Sequence, residues 1–395
     1  MESCDQSQHS ILCISPLLLL RRQRACAKNA SLCFTIRSPT GTHISPDTVY
    51  LMNTNSLYRI IQLNRLVKNH RVKFAAVLAA HHLKLRHLFL RFDPVMACNL
   101  RCQMCYFSDD QFRKDNKGIF KPEEIDRLAR MFFPKAVQLV IGCGAEPTLY
   151  KNYPELVKLA KDYRVPFVGL TSSGQLITAE QLERLFDFGL NELSLSVHGV
   201  KQETYERLMV NASYERFHEL LGQFATLAQT KRAPQLRFNY TVNPDNLNEL
   251  PDFFKVYGRY PIKTLQIRPI MDIGQSEYRN FGLSFCADTY NRIIESLGKE
   301  AKERGMTFLA NRYDPTYDAE SENYGSVILD SVHRYISPQR VWRTDFNWRE
   351  ETYDEYCRRI GWSQRLRQAL LSRRDSLTST NPFSYTLSGR YDVKF

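Results

Sequence analysis

Six short β-rich runs separated by helical ones constrain the fold of this chain more than any other feature. The runs are LFLRF from Leu88, AVQLVIG from Ala136, PFVGLTS from Pro166, ELSLSV from Glu192, LRFNYTV from Leu236 and TLQIRPI from Thr264. Between them lie KPEEIDRLARMF, YPELVKLAKDY, TAEQLERLFDFG, a long run ending at Thr230, and NLNELPDFFKVYG. Strands that alternate with helices must lie parallel, because each helix carries the chain back to the same end of the sheet. Thr178 followed by Gln181 forms a capping box that marks one helix start, and Gly189 closes that helix. Six such units are too few for an eightfold barrel and enough for an open one, whose chemistry sits at the carboxyl ends of the strands.

The expected fold is therefore α/β: a partial (β/α)6 TIM-like barrel over residues 88–280, with a basic helical N-terminal segment and a mixed C-terminal extension. The segment 52–87 overlaps a stretch from Leu57 to Leu88 that has Lys and Arg but no acidic residue, and apolar positions at helical spacing. It reads as basic amphipathic helices, either a cap packed on the barrel or a contact with an anionic membrane surface. Residues 281–395 begin helically and then become rich in Tyr, Trp, Arg and Ser, so they are expected to cover the barrel mouth as a lid or to bind substrate. Residues 1–51 have weak periodicity and are read as a disordered tail or as lying upstream of a true start at Met52. Their apolar patch ILCISPLLLLRRQR has its basic residues after the leucines, the reverse of a secretory signal.

With 395 residues, 43% of them hydrophobic, the chain can bury a large core, and no apolar run approaches a bilayer span, so it is expected to be soluble. Ten cysteines in a chain of this length are too dilute for a disulfide scaffold and fit a reducing cytoplasm. A net charge of +12 suits an anionic partner as readily as it describes a basic solvated surface. Nucleic acid is the less expected partner, because the aromatic residues do not interleave with the basic ones as a stacking platform.

Three of the cysteines, Cys98, Cys102 and Cys105, fall within ACNLRCQMC directly after the first strand. Thiolates at this spacing can wrap one face of a [4Fe–4S] cube and leave its fourth iron open. A zinc site would need a fourth ligand that no second Cys pair or nearby downstream His supplies, and chance clustering of packing residues is the remaining alternative. The other strand ends are also unusual. GCGAEPTLY follows the second strand, Thr171, Ser172 and Ser173 end the third, Ser196 and His198 end the fourth, and Asn239 and Arg268 lie on the fifth and sixth. Each has a plainer reading: His198 as a core histidine, the serines as turn caps, Arg268 in a structural ion pair, Cys143 as packing.

Taken together, these residues resemble the radical S-adenosylmethionine superfamily. Its three cysteines separated by three and two residues are met by Cys98, Cys102 and Cys105, and its Gly-Gly-Glu-Pro motif by Gly144, Ala145, Glu146 and Pro147. Ala145 departs from the second glycine, and Met104 stands where an aromatic is usual, with Tyr106 just after the last cysteine. The resemblance runs from about Leu88 to Glu277. It implies a [4Fe–4S] cluster whose open iron is chelated by S-adenosyl-L-methionine. It also implies reductive cleavage by an electron from a protein such as flavodoxin or ferredoxin, and a 5′-deoxyadenosyl radical that abstracts hydrogen from a substrate. Glu146 and the neighbouring backbone would hold the methionyl amine; Ser172, Ser173, Ser196 or His198 would contact ribose or carboxylate, and Arg268 would pair with an anion. Relatives often carry a cysteine-rich C-terminal domain for auxiliary clusters, whereas only Cys286 and Cys357 lie beyond the barrel here. The substrate is not named by any motif. The rival reading is a non-enzymatic metal- or nucleic-acid-binding protein with zinc or an iron–sulfur site at the three cysteines.

Overall fold

The computed structural model describes residues 69–270, 286–310 and 323–373, together with Val67 and Tyr278. All six expected strands are present: β1 (Leu88–Phe92), β4 (Ala136–Ile141), β5 (Phe167–Ser172), β6 (Glu192–Val197), β7 (Gln235–Val242) and β8 (Ile262–Pro269). They pair in parallel in that order within a nine-stranded sheet. A short ribbon of β2 (Val95–Met96) and β3 (Gly118–Ile119) stands apart from it.

Helices α2 (Asp110–Asp115), α3 (Pro122–Phe132), α4 (Tyr153–Asp162), α5 (Ala179–Asp187), α6 (Gln202–Leu208), α7 (Tyr214–Thr230) and α8 (Phe253–Tyr257) fill the crossovers. Their starts follow local chemistry. Thr178 Oγ1 accepts from Gln181 N while the Gln181 amide accepts from Thr178 N, so two amides that the helix cannot pair are satisfied by side chains. Pro122 opens α3, and Glu124 accepts from the backbone of Lys121 at 2.9 Å.

The two faces of the sheet differ. On β6, β7 and β8 the residues Leu193, Leu195, Phe238, Tyr240, Leu265 and Ile267 are buried, and Phe238 meets Phe217 of α7 and Tyr257 of α8 at ring separations of 5.8 and 5.4 Å. The opposite face carries Glu192, Ser194, Arg237, Asn239 and Gln266, all buried. Arg237 lies 3.5 Å from Glu192, donates to Asn239 at 2.9 Å and to Gln266, and Asn239 donates to Ser194 at 2.7 Å. A barrel lumen lined by such paired polar groups leaves its upper rim suited to a polar ligand.

The C-terminal extension does not begin where the sheet ends. After α9 (Ala287–Glu303), β9 (Thr307–Leu309) joins one edge beside β8; after α10 (Asn323–Val332), β10 (His333–Ser337) joins the other, parallel to β1, and β11 (Arg340–Val341) folds back on it. Much of the described extension is thus wall rather than lid, and the expected limit at 280 does not bound the sheet. The signal was weak in sequence because these strands are short and His333-Arg334-Tyr335 has no apolar alternation.

Arg334 is fully buried, with its guanidinium 3.7 Å from the Trp342 ring centre and donating to three backbone carbonyls and Tyr353. With no carboxylate paired to it among the described residues, the cation is held there by carbonyl dipoles and aromatic faces. Behind it α11 (Tyr353–Arg359) and α12 (Trp362–Leu371) pack, and α12 lies on α1 (His70–His82). Phe74 and Val77 of α1 are buried at 1% exposure, so this part of the basic segment is a cap with its apolar face already covered. The membrane contact expected of 57–88 gains no support from it, and residues 57–66 and 68 lie outside the described residues, as do residues 1–51. Among the described residues no helix is long and apolar enough to cross a membrane.

Candidate functional site

The chain leaves β1 at Asp93 and enters the cysteine loop. That loop is anchored by backbone bonds to the segment after α6: Arg101 N donates to Val210 O at 2.9 Å and Gln103 N to Leu208 O at 3.0 Å. Cys105 N donates to Cys102 O, Leu100 N points at Cys98 Sγ from 3.4 Å, and Arg101 donates to Cys98 O at 2.7 Å. All three cysteines are half-buried and none is in a disulfide.

Burial, then Glu146 and Cys105, push the Cys98 thiol up to about 12, and burial followed by the two other thiols drives Cys102 well above its usual value. Three desolvated sulfurs in one another's field resist ionising unless a cationic centre compensates them, which is the condition an iron–sulfur cluster or metal meets. Among the described residues no three His, Cys, Asp or Glu side chains converge tightly enough to hold a single ion. The donor set fits a cluster, with soft sulfur ligands at the end of a strand and no fourth ligand beside them among the described residues.

The loop after β4 is pinned from every side. Gly142 adopts φ +82°, its amide donates to Phe92 O at 2.9 Å, and a Cβ there would collide with the Thr171 carbonyl. Asp93, fully buried, accepts from Cys143 N at 2.7 Å and Gly144 N at 2.9 Å. The Tyr106 phenol donates to Gly144 O at 2.5 Å, and Glu146 N donates to Ala97 O at 3.0 Å. The cysteine loop and the Gly144-Ala145-Glu146-Pro147 loop are thereby one unit, with Pro147 opening a short turn beneath.

Glu146 is only 3% exposed. Its carboxylate accepts from Thr148 N and Oγ1, Ser172 Oγ, and Ser173 N and Oγ, at 2.6–3.3 Å. The ends of β4 and β5 are therefore joined through one anion. Ser172 and Ser173, expected at ribose or carboxylate, give their hydroxyls to Glu146.

Across the rim, Ser196 is half-buried, and His198 Nδ1 accepts from Thr241 N at 3.4 Å. Burial first, then Arg268, pushes His198 down to about 3, so it is neutral at physiological pH. Arg268 is half-buried on β8 and lowered to about 10 by burial and then by Arg237, with Cys143 opposing. Among the described residues Arg268 makes no hydrogen bond or ion pair, unlike Arg237 below it. Asn243, fully buried after β7, reaches Met104 Sδ at 3.9 Å and so touches the cysteine loop.

Sequence reasoning brought together the three cysteines, Glu146 and the two serines, but missed Asp93, Thr148, Asn243 and Tyr335. Asp93 had a readable signal, an acid directly between a strand and Pro94. Tyr335 had none, since only pairing of β10 with β1 brings it near.

An acid-lability prediction follows from the buried histidines. His87 is pushed down to about 3 by burial, with the Leu85 carbonyl opposing, and among the described residues its Nε2 has no hydrogen-bond partner. With His198 it lies below the ordinary 6.5, so the unfolded chain takes up these protons first. Stability is therefore present above pH 6.5 and is lost as pH falls toward 3. Asp93 has the opposite sign: burial raises it from 3.8 to about 6, so its contribution is gained as pH falls through that window. At pH 5 the two histidines cost roughly 4 kcal/mol together and Asp93 offsets about 1 kcal/mol. Unfolding free energies from urea titrations at pH 7.5 and about 5 should differ by the remaining ~3 kcal/mol.

Comparison with known proteins agrees in family. Residues 94–255 match the Radical SAM superfamily. A GTP 3′,8-cyclase of Aquifex aeolicus is 27% identical over 236 residues, 56% of this chain and 70% of that protein. The Caenorhabditis elegans molybdenum cofactor biosynthesis protein moc-5 is 24% identical over 216 residues, 54% of this chain and 34% of its own length. The crystal structure of Streptococcus suis SuiB bound to S-adenosylmethionine superposes with a TM-score of 0.51 at 16% identity, over 72% of this chain and 64% of that one. That last likeness is one of fold.

Proposed function

This chain is a radical SAM superfamily enzyme that uses a [4Fe–4S] cluster and S-adenosylmethionine, and on that premise we propose that Cys98, Cys102 and Cys105 hold the cluster and that the substrate is an anionic nucleotide. The observation that carries the reading is the stitching of the three-cysteine loop to the 142–147 loop through Asp93, Tyr106 and Glu146. When bound, the two cofactors supply hydrogen-atom abstraction from substrate.

The chain's own part is to bind, orient and enclose. A carboxylate has about four lone-pair sites, and Glu146 already receives five donors. Glu146 thus braces the loop, while the backbone carbonyls from Gly142 to Ala145 receive the methionyl amine. Ser196 and the neutral His198 present polar atoms to the ribose side. Arg268, a cation without a counterion among the described residues, takes the anionic group of the substrate. GTP is the first substrate to try, because the Aquifex relative is a GTP 3′,8-cyclase. Residues 88–280 carry this site, closed at its edges by strands of the extension.

The test is anaerobic reconstitution followed by electron paramagnetic resonance of the reduced protein with and without S-adenosylmethionine. A [4Fe–4S] signal that changes on adding the cofactor, with 5′-deoxyadenosine released on reduction, supports the reading. Bound zinc, or a cluster indifferent to the cofactor, would sink it. For the substrate, Arg268→Gln should raise KM for GTP about tenfold or more with little change in 5′-deoxyadenosine formed without substrate. If GTP alters neither product nor rate in the wild-type protein, the nucleotide assignment fails while the enzyme class stands.

A further inference from the structure

Asp93 sits at the junction of three segments distant in sequence. Its amide donates to Ile336 O of β10 at 2.9 Å, which fixes its backbone against the outer strand. Its carboxylate accepts from Cys143 N and Gly144 N at 2.7 and 2.9 Å, and also from the Ala145 backbone. A further donor is the Tyr335 phenol, 2.8 Å from Asp93 Oδ2. Tyr335 pairs in register with Arg91, two residues before Asp93, so strand pairing alone delivers its hydroxyl to this carboxylate.

We propose that Tyr335 is a positioning residue that, through Asp93, holds the amides of 143–145 in the conformation that binds S-adenosylmethionine, so that strand β10 of the C-terminal extension is a working part of the site. This rests on the proposed role of the 142–147 loop in taking the methionyl amine.

The chemistry explains why a hydroxyl matters there. A fully buried carboxylate is costly unless its lone pairs are filled, and burial already raises Asp93 to about 6. Loss of the phenol donor raises it further and favours the protonated acid, whose O–H must turn toward amides that are themselves donors. Consecutive amides then lose their common acceptor, and the carbonyls between them lose their fixed direction. Tyr335 Oη also lies 3.6 Å from Met96 Sδ, a far weaker acceptor that cannot replace the carboxylate. Nothing in the pairing of β10 with β1 depends on this hydroxyl, since that ladder uses backbone groups. The role is therefore separable from folding.

The experiment compares full-length wild-type protein, Tyr335→Phe and Asp93→Asn. Amide hydrogen exchange without S-adenosylmethionine should be about tenfold faster at 143–145 in Tyr335→Phe and faster still in Asp93→Asn, the scale of one charge-assisted hydrogen bond, with β4 unchanged. The dissociation constant for S-adenosylmethionine should rise by a similar factor, at unchanged iron content and melting temperature. Exchange and affinity equal to wild type in Tyr335→Phe would overturn the inference, as would a lowered melting temperature with faster exchange throughout, which would make Tyr335 a packing residue. If wild-type protein binds no S-adenosylmethionine, the proposed function fails, and the exchange rates still decide whether Tyr335 holds the loop.

Discussion

Cys102→Ala should abolish iron–sulfur assembly while leaving the fold intact. Cys102 is the middle of the three thiols, and burial with the two neighbouring thiols raises it well above its usual value, so a compensating cationic centre is what would ionise it. The backbone on either side is held independently of sulfur, by Arg101 N to Val210 O and Gln103 N to Leu208 O. Alanine therefore removes the proposed ligand without releasing the loop. Iron should fall from about four per chain to near zero, and reductive cleavage of S-adenosylmethionine should fall by at least ~10³-fold, because two thiolates cannot retain a cube that needs three. Cys143→Ala is the matched control, since Cys143 reaches Asp93 through its backbone amide; it should keep its iron. Equal iron contents in the two variants would remove the three-cysteine assignment.

Glu146→Ala should cost both stability and cofactor affinity. The substitution strips the acceptor from three hydroxyls and two amides in a place with almost no solvent. Deleting one partner of a buried charged network typically costs about 3–5 kcal/mol, a large share of the roughly 5–15 kcal/mol that holds a domain folded. Affinity for S-adenosylmethionine should fall by about 100-fold, because the ends of β4 and β5 separate once their common anion is gone. Glu146→Gln distinguishes shape from charge: its NH2 would face the Ser173 donors, so an intermediate loss is expected. Urea unfolding and equilibrium binding check both terms. A Glu146→Ala protein as stable as wild type would mean the network is not a brace.

The fold of the core was readable because each strand is short, apolar and bounded, and each intervening helix keeps its own period. Thr178 and Gln181 even located a helix start that the structure reproduces. The edges of the sheet were not readable, since β9 and β11 are three and two residues long and gain their pairing from neighbours rather than from composition. At the site, cysteine spacing and the Glu146 motif stood out because both are local in the chain. The roles of Ser172 and Ser173 did not, because the same hydroxyls can face a ligand or a carboxylate.

By itself, then, the sequence determined the alternation of elements, the three thiols after the first strand and the polar residues at successive strand ends, all of which depend on neighbours within a few positions. Only the tertiary structure decided which polar groups satisfy one another. It placed Glu146 as a saturated brace, left Arg268 without a counterion among the described residues, and brought Tyr335 across 242 positions of chain to Asp93. The reason is physical: hydrogen-bond partners in a buried site are chosen by strand register and burial, and neither is carried by the residues that flank a motif.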